Sequence, residues 1–125
     1  MNIKIINGPN LNLLGERDIA IYGKETLNEI KDWLKDKINS KQSVEWFQSN
    51  HEGKIIDELH KSMNTCEGII INPGAFTHYS YAIRDAIEAA DIPTVEVHLS
   101  DIHNREDFRK NSVIKDVCID QIFGL

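Results

Sequence analysis

The chain has 125 residues, 41% of them hydrophobic and 27% charged, a length that favours one domain able to bury about two-thirds of its unfolded surface. Its formal charge is −6, with acids and bases mixed along the chain. That balance argues against general nucleic-acid binding, which needs a basic patch or stripe, but leaves room for a locally positive pocket that holds a small anion.

"NIKIIN" (2–7) is short, apolar and β-branched and reads as a strand. "NGPNLNLLGERDIAIYGKETL" (7–27) follows, with Gly8, Pro9, Gly15 and Gly23 marking turns. Before helical spacing begins, a loop of about fifteen residues carries Arg17 and Tyr22; loops this long without structure are uncommon in compact domains and are usually functional or disordered. "TLNEIKDWLKDKI" (26–38) places Leu27, Ile30, Leu34 and Ile38 on one helical face, and Thr26 and Glu29 have capping-box spacing. "SVEWFQ" (43–48) reads as a strand, and "KIIDELHKSM" (54–63) as a helix with Ile55, Ile56, Leu59 and Met63 toward the core. "CEGIII" (66–71) is the most continuous apolar run and suits a strand buried on both faces. "YAIRDAIEAA" (81–90) is a helix with Ile83, Ala86, Ile87 and Ala90 inward, "TVEVHL" (94–99) a strand, "REDFRK" (105–110) a short helix and "VCIDQIF" (117–123) a last strand.

Strict alternation of strands and helices implies an α/β fold with a parallel sheet and helices on both faces. Five strands at this length suit the flavodoxin-like winding, whose ligands lie outside the carboxyl ends of the strands at the topological switch point. Strands one, three and four end in "NGPN", "NPG" and "HLS", so the polar residues sit where this architecture places a site. Cys66 and Cys118 lie far apart in apolar stretches without metal-ligand or CxxC spacing and read as buried thiols. No apolar run reaches the ~18 residues of a membrane span, and Met1 leads directly into strand-like sequence without a leader's regions. A cytoplasmic protein without membrane partners is the expectation.

Glu96 and His98 are two apart on one strand and point to one face. A carboxylate beside an imidazole fixes its tautomer, which suits a general acid; a structural Glu–His bond is the plain alternative. His78 and Asp85 are seven apart and, on one helix, would share a face turned from the core toward solvent or another subunit. Asn10 and Asn72 sit beside glycine and proline, where asparagine commonly forms turns but could also hold a carboxylate or an oxyanion. Arg17, Tyr22 and Arg109 each have ordinary readings as loop charge, packing ring and solvated base. His51, His60 and His103 carry no pattern. HExxH, GxGxxG and GxxxxGK[ST] are absent from the sequence, so zinc-protease, dinucleotide and P-loop readings lack support.

Four blocks, "NGPNLNLLGxR…YG", "QSNHEG", "INPGAFTHYSYAIRDA" and "VEVHLSDIHNREDFR", occur in an order that resembles the type II 3-dehydroquinate dehydratases. The resemblance runs from residue 3 to about residue 118. It implies a flavodoxin-like fold without flavin, a homododecamer built as a tetramer of trimers, and anti elimination of water from 3-dehydroquinate through an enolate, with no cofactor or metal. It implies that Tyr22, as phenolate, removes the C2 proton, that Arg17 on the same loop stabilises that phenolate, and that Asn10 helps hold a water on the enolate. It implies His98 as the acid that protonates the C1 hydroxyl, oriented by Glu96. The substrate carboxylate falls to Asn72 and the backbone at Leu99 and Ser100, the ring hydroxyls to His78 and Arg109, and Gly74 is a further substrate-binding position. Asp85 is similar to a residue that reaches a neighbouring subunit's site. The opening loop is then a lid that brings base and cation over the substrate and shuts out water.

The family commonly has histidine where this chain has Asn111, and continues past Gly124-Leu125 into a final helix. The resemblance therefore implies a single catalytic domain over 1–125 that lacks that helix. Two other classes stay open at this point. A flavodoxin-like binding module would take FMN or a phosphoryl group, although the positions a phosphoryl receiver would need as acids are Asn7, Asn10 and Asn72. A catalytically dead scaffold would not need the intact set Arg17, Tyr22, His98 and Arg109.

Overall fold

Alternating β-branched and short polar segments make five strands: β1 (Asn2–Asn7), β2 (Ser43–Gln48), β3 (Gly68–Asn72), β4 (Thr94–His98) and β5 (Asp120–Phe123). Four α-helices connect or flank them: α1 (Ile19–Tyr22), α2 (Leu27–Lys35), α3 (Glu52–Ser62) and α4 (Tyr81–Ala90). The computed structural model describes residues 1–124; Leu125, the last residue of the expected domain, lies outside them. The strands form one sheet in the order β2-β1-β3-β4-β5, and every pairing is parallel. This is the flavodoxin-like order, with its switch point between β1 and β3. Among the described residues no helix is long and apolar enough to cross a membrane.

The direction of each crossover decides which face a helix covers. The β1–β2 step runs opposite to the β2–β3 and β3–β4 steps, so right-handed connections put α2 on one face and α3 and α4 on the other. The larger core lies on the α3–α4 side. Ile6, Ile69 and Ile71 pack there against Ile55, Leu59, Ile83, Ala86 and Ile87, all buried. The four inward positions expected on α4 are all buried. Ser80 caps this helix, accepting from Ile83 N at 3.0 Å and donating to Glu52 at 2.6 Å, which ties the starts of α3 and α4 together.

Several element boundaries and core positions differ from expectation. The capping box forms, with Glu29 N donating to Thr26 Oγ1 at 3.1 Å, but α2 ends at Lys35 rather than 38 and none of its residues is fully buried. Met63 is 48% exposed, not in the core, because the buried face of α3 runs through Ile55, Glu58, Leu59 and Ser62 and leaves Met63 at its edge. Ser62 takes the buried place and donates to the Glu58 carbonyl at 2.8 Å. In β3, Ile69 and Ile71 are buried but Ile70 only half so, because the four-residue β5 and the short α2 leave that part of the opposite face thinly covered. Cys66 and Cys118 are half-buried rather than buried; burial, aided by the charge of Glu96, pushes the Cys118 thiol up to about 12. The segment 105–110 is not an α-helix. Two 3-10 turns replace it, Ile102–Asn104 and Asp107–Lys110, the first capped by Asp101, which accepts from His103 N at 3.1 Å. A third turn at Lys115–Val117 delays β5 to Asp120. The opening loop is not structureless either: it holds a 3-10 turn at Leu11–Leu13 and the single turn of α1.

One buried lysine on the sheet pairs with two carboxylates. Lys4, 6% exposed, meets Glu58 at 2.6 Å and Glu45 at 2.7 Å. Burial alone would lower the Lys4 ammonium, but the two carboxylates outweigh it and hold it above the ordinary lysine value.

Candidate active site

The site begins where β1 and β3 part. Gly8 N donates to the Asn72 carbonyl at 2.7 Å. A Cβ on Gly8 would fall 2.6 Å from the Pro73 carbonyl oxygen, so only glycine lets these two loops touch. Asn10 follows with φ of 69°, a left-handed conformation that asparagine tolerates, and its N–H donates to Asn50 Oδ1 at 3.0 Å. Asn72 turns its side-chain oxygen to the Gly74 N–H at 3.1 Å. Its turn-forming reading is therefore realised, with the amide NH2 left over.

Tyr22 ends α1. Its hydroxyl oxygen accepts from Arg17 Nη2 at 3.2 Å and from Arg105 Nη1 at 3.0 Å. The two guanidinium carbons lie 4.1 Å and 5.3 Å from the ring centroid. A guanidinium only donates, so the phenol oxygen is an acceptor twice over and its own proton is left for another partner. Both donors are cations, so these are charge-assisted hydrogen bonds. Arg105 was not singled out in the sequence. In "HNREDFR" it reads as another charge beside Arg109, and only the fold carries it to Tyr22. Arg105 Nη1 also reaches Ser100 Oγ at 3.3 Å.

On the opposite wall, Glu96 is fully buried and His98 is 7% exposed. His98 Nε2 and Glu96 Oε2 are 2.5 Å apart, so the pair expected from strand spacing forms. Thr77 Oγ1 donates to the same carboxylate at 2.5 Å, Ser112 Oγ at 2.8 and 2.9 Å, and Gln121 Nε2 at 3.2 Å. Burial would raise the Glu96 carboxyl, but the hydrogen bonds from His98, Thr77 and Ser112 and the charge of His98 hold it below the ordinary carboxylate value. With Nε2 engaged, Nδ1 is the His98 nitrogen left for the cleft.

His78 does not share a helix with Asp85. It closes the 3-10 turn Gly74–His78, and α4 starts only at Tyr81. His78 is half-buried, lines the cleft, and donates from Nδ1 to the Asn111 carbonyl at 2.7 Å. Burial lowers it below the ordinary histidine value; the Asn111 carbonyl opposes this and the charge of Arg109 adds to it. Asp85 is exposed on α4 and is not among the cleft-lining residues.

One cleft thus collects Asn10, Arg17 and Tyr22 from the loop after β1, Arg105 beside Tyr22, and Asn72, Gly74 and His78 on the β3 side. His98, Leu99, Ser100 and Arg109 complete it from the β4 side, with Glu96 behind His98. Three arginines line this cleft in a chain of net charge −6, the local positive pocket that composition left room for. Among the described residues no group of three or more His, Cys, Asp or Glu is placed to hold a metal ion.

The family model for dehydroquinase class II matches residues 1–125. A 3-dehydroquinate dehydratase of Caldicellulosiruptor saccharolyticus is 56% identical over 124 residues, covering 98% of this chain and 86% of the relative. One from Thermotoga neapolitana is 54% identical over 129 aligned residues, covering 100% and 86%. The crystal structure of a type II dehydroquinase from Butyrivibrio crossotus matches with a TM-score of 0.91 at 49% identity, over 99% of this chain and 88% of that one. That of Propionibacterium acnes gives 0.92 at 35% identity, over 99% and 86%.

Proposed function

The chain belongs to the class II dehydroquinase family, and from that premise we infer how its cleft removes water from 3-dehydroquinate. The enzyme is a hydro-lyase: it yields 3-dehydroshikimate, a step of the shikimate pathway toward chorismate and the aromatic amino acids. A proton beside a ketone is weakly acidic, so the first step needs a strong base and a place for the enolate charge. Tyr22, as phenolate, takes the C2 proton, and Arg17 stabilises the phenolate. Asn10 helps hold the water that stabilises the enolate oxygen. The C1–O bond then breaks as His98, oriented by Glu96, delivers a proton to the departing hydroxyl, and water leaves. Tyr22 returns its proton to solvent and His98 regains one, so the enzyme is restored. The scheme uses no cofactor.

Asn72 and the backbone at Leu99 and Ser100 hold the substrate carboxylate, and Gly74 lines the substrate beside them. His78 and Arg109 hold the ring hydroxyls. Asp85, turned outward on α4, reaches the site of a neighbouring trimer subunit, and the working form is a cytoplasmic dodecamer of four trimers, each chain a single catalytic domain over 1–125.

The observation that supports this reading best is the Tyr22 hydroxyl accepting from two arginines across a cleft from a histidine backed by a buried carboxylate. Mixing the protein with 3-dehydroquinate should produce the ultraviolet absorbance of the conjugated enone, and light scattering should give a mass near that of twelve chains. No enone growth at any pH would sink the reaction; a fully active monomer would sink the assembly.

A further inference from the structure

Glu96 receives more donors than orienting one imidazole requires. In the parallel register Glu96 lies opposite Gln121 on β5, so the two side chains share a face. Gln121 Nε2 donates to Oε1 at 3.2 Å. Ser112, between the second and third 3-10 turns after β4, spans both carboxylate oxygens at 2.8 and 2.9 Å. Its own oxygen accepts from Lys115 N at 3.1 Å, which fixes where the hydroxyl can point. Thr77 and His98 complete Oε2. An ionised carboxylate offers about four acceptor positions, and here all are used. The carboxylate cannot rotate about its terminal bond without losing donors in a site sealed from water, where each loss goes uncompensated.

We propose that Ser112 and Gln121 are positioning residues for the dehydration: they lock the plane of the Glu96 carboxylate, and through it the ring orientation and tautomer of His98. The last strand is then part of the acid machinery and not only the sheet's edge. This rests on His98 being the general acid. The lowered position of the Glu96 carboxyl agrees with a full donor set. The lock differs in kind from the Tyr22–arginine contacts, because neither residue lines the cleft and both act through Glu96.

The test compares Gln121→Met, which keeps length and removes the donor, with Ser112→Ala and Ser112→Thr, the last keeping a hydroxyl. Turnover and KM for 3-dehydroquinate are measured beside the proton and nitrogen NMR signals of the His98 ring and the thermal midpoint. In Gln121→Met and Ser112→Ala, kcat should fall about 10-fold or more, the scale of losing one hydrogen bond to a charged group, with KM within about twofold, as expected when an interaction specific to the transition state is lost. The low-field Nε2–H signal of His98 should weaken in both, and Ser112→Thr should restore both readouts. The two residues lie on separate segments, so if one variant misfolds the other decides. Parent kcat in the folded variants, or an unchanged Nε2–H signal, overturns the proposal. A fully active His98→Ala would instead overturn the acid assignment; the ring signal would then still decide, its weakening supporting the lock and its persistence refuting it.

Discussion

Replacing Arg105 by alanine removes one of the two cations on Tyr22. Its Nη1 is 3.0 Å from the phenol oxygen, against 3.2 Å for Arg17 Nη2, and its side chain is only 15% exposed, so water cannot take its place at full strength. A hydrogen bond to a charged partner contributes about 1.5–3 kcal/mol. At 1.36 kcal/mol per factor of ten, that corresponds to a loss of roughly 10- to 150-fold in turnover. KM should change less, because in this scheme Arg105 holds the base and makes no contact assigned to the substrate. Arg105→Lys should recover part of the loss, since lysine supplies a charge without the planar fork. Arg105 also donates to Ser100 Oγ at 3.3 Å, and its role could reside there instead. Ser100→Ala separates the two: it should cost far less than Arg105→Ala if Tyr22 is the partner that matters. Combining Arg17→Ala with Arg105→Ala should give a loss that differs from the product of the single losses, because both act on one oxygen. The assay is enone growth with 3-dehydroquinate. Turnover within twofold of the parent in folded Arg105→Ala would refute the reasoning, as would equal losses in Arg105→Ala and Ser100→Ala.

Tyr22→Phe keeps the half-buried ring and should leave the thermal midpoint near that of the parent while abolishing turnover, because phenylalanine cannot accept a proton; an active variant ends the base assignment. No lysine lines the cleft among the described residues, so borohydride added with substrate should leave activity intact, and irreversible loss would indicate a Schiff base. Lys4→Ala strands the buried Glu58 charge and should lower stability by about 3–5 kcal/mol in urea unfolding, whereas Glu45→Ala, on a side chain 62% exposed, should cost under about 1 kcal/mol; equal effects would contradict the burial argument. The Glu96 carboxyl is held below its ordinary value of 4.5, so its ionisation stabilises the fold fully above that value and the stabilisation is lost as pH falls through the lower folded-state value. Glu96→Gln should therefore flatten the acid limb of stability against pH, and an unchanged limb would show that the carboxyl is not depressed.

Strand and helix order could be read from the sequence because periodicity is local. The isoleucines of 2–7 and 69–71, the inward stripe Ile83, Ala86, Ile87 and Ala90, and the Thr26–Glu29 cap each report on neighbours within one turn or one pleat. The α/β winding followed from that alternation, and the pairing of Glu96 with His98 followed from a spacing of two on a strand. Helix packing was less legible: Met63 falls near the apolar stripe, and only the way α3 seats on the sheet left it outside and Ser62 inside. The shared face expected for His78 and Asp85 failed because Ser80 starts a new helix between them. What the tertiary structure alone decided is which distant residues share an atom. Tyr22 and Arg105 are 83 positions apart, and Glu96 draws donors from residues 77, 112 and 121. Hydrogen bonds act over about 3 Å, and the sheet order, not chain distance, determines which groups come within that reach.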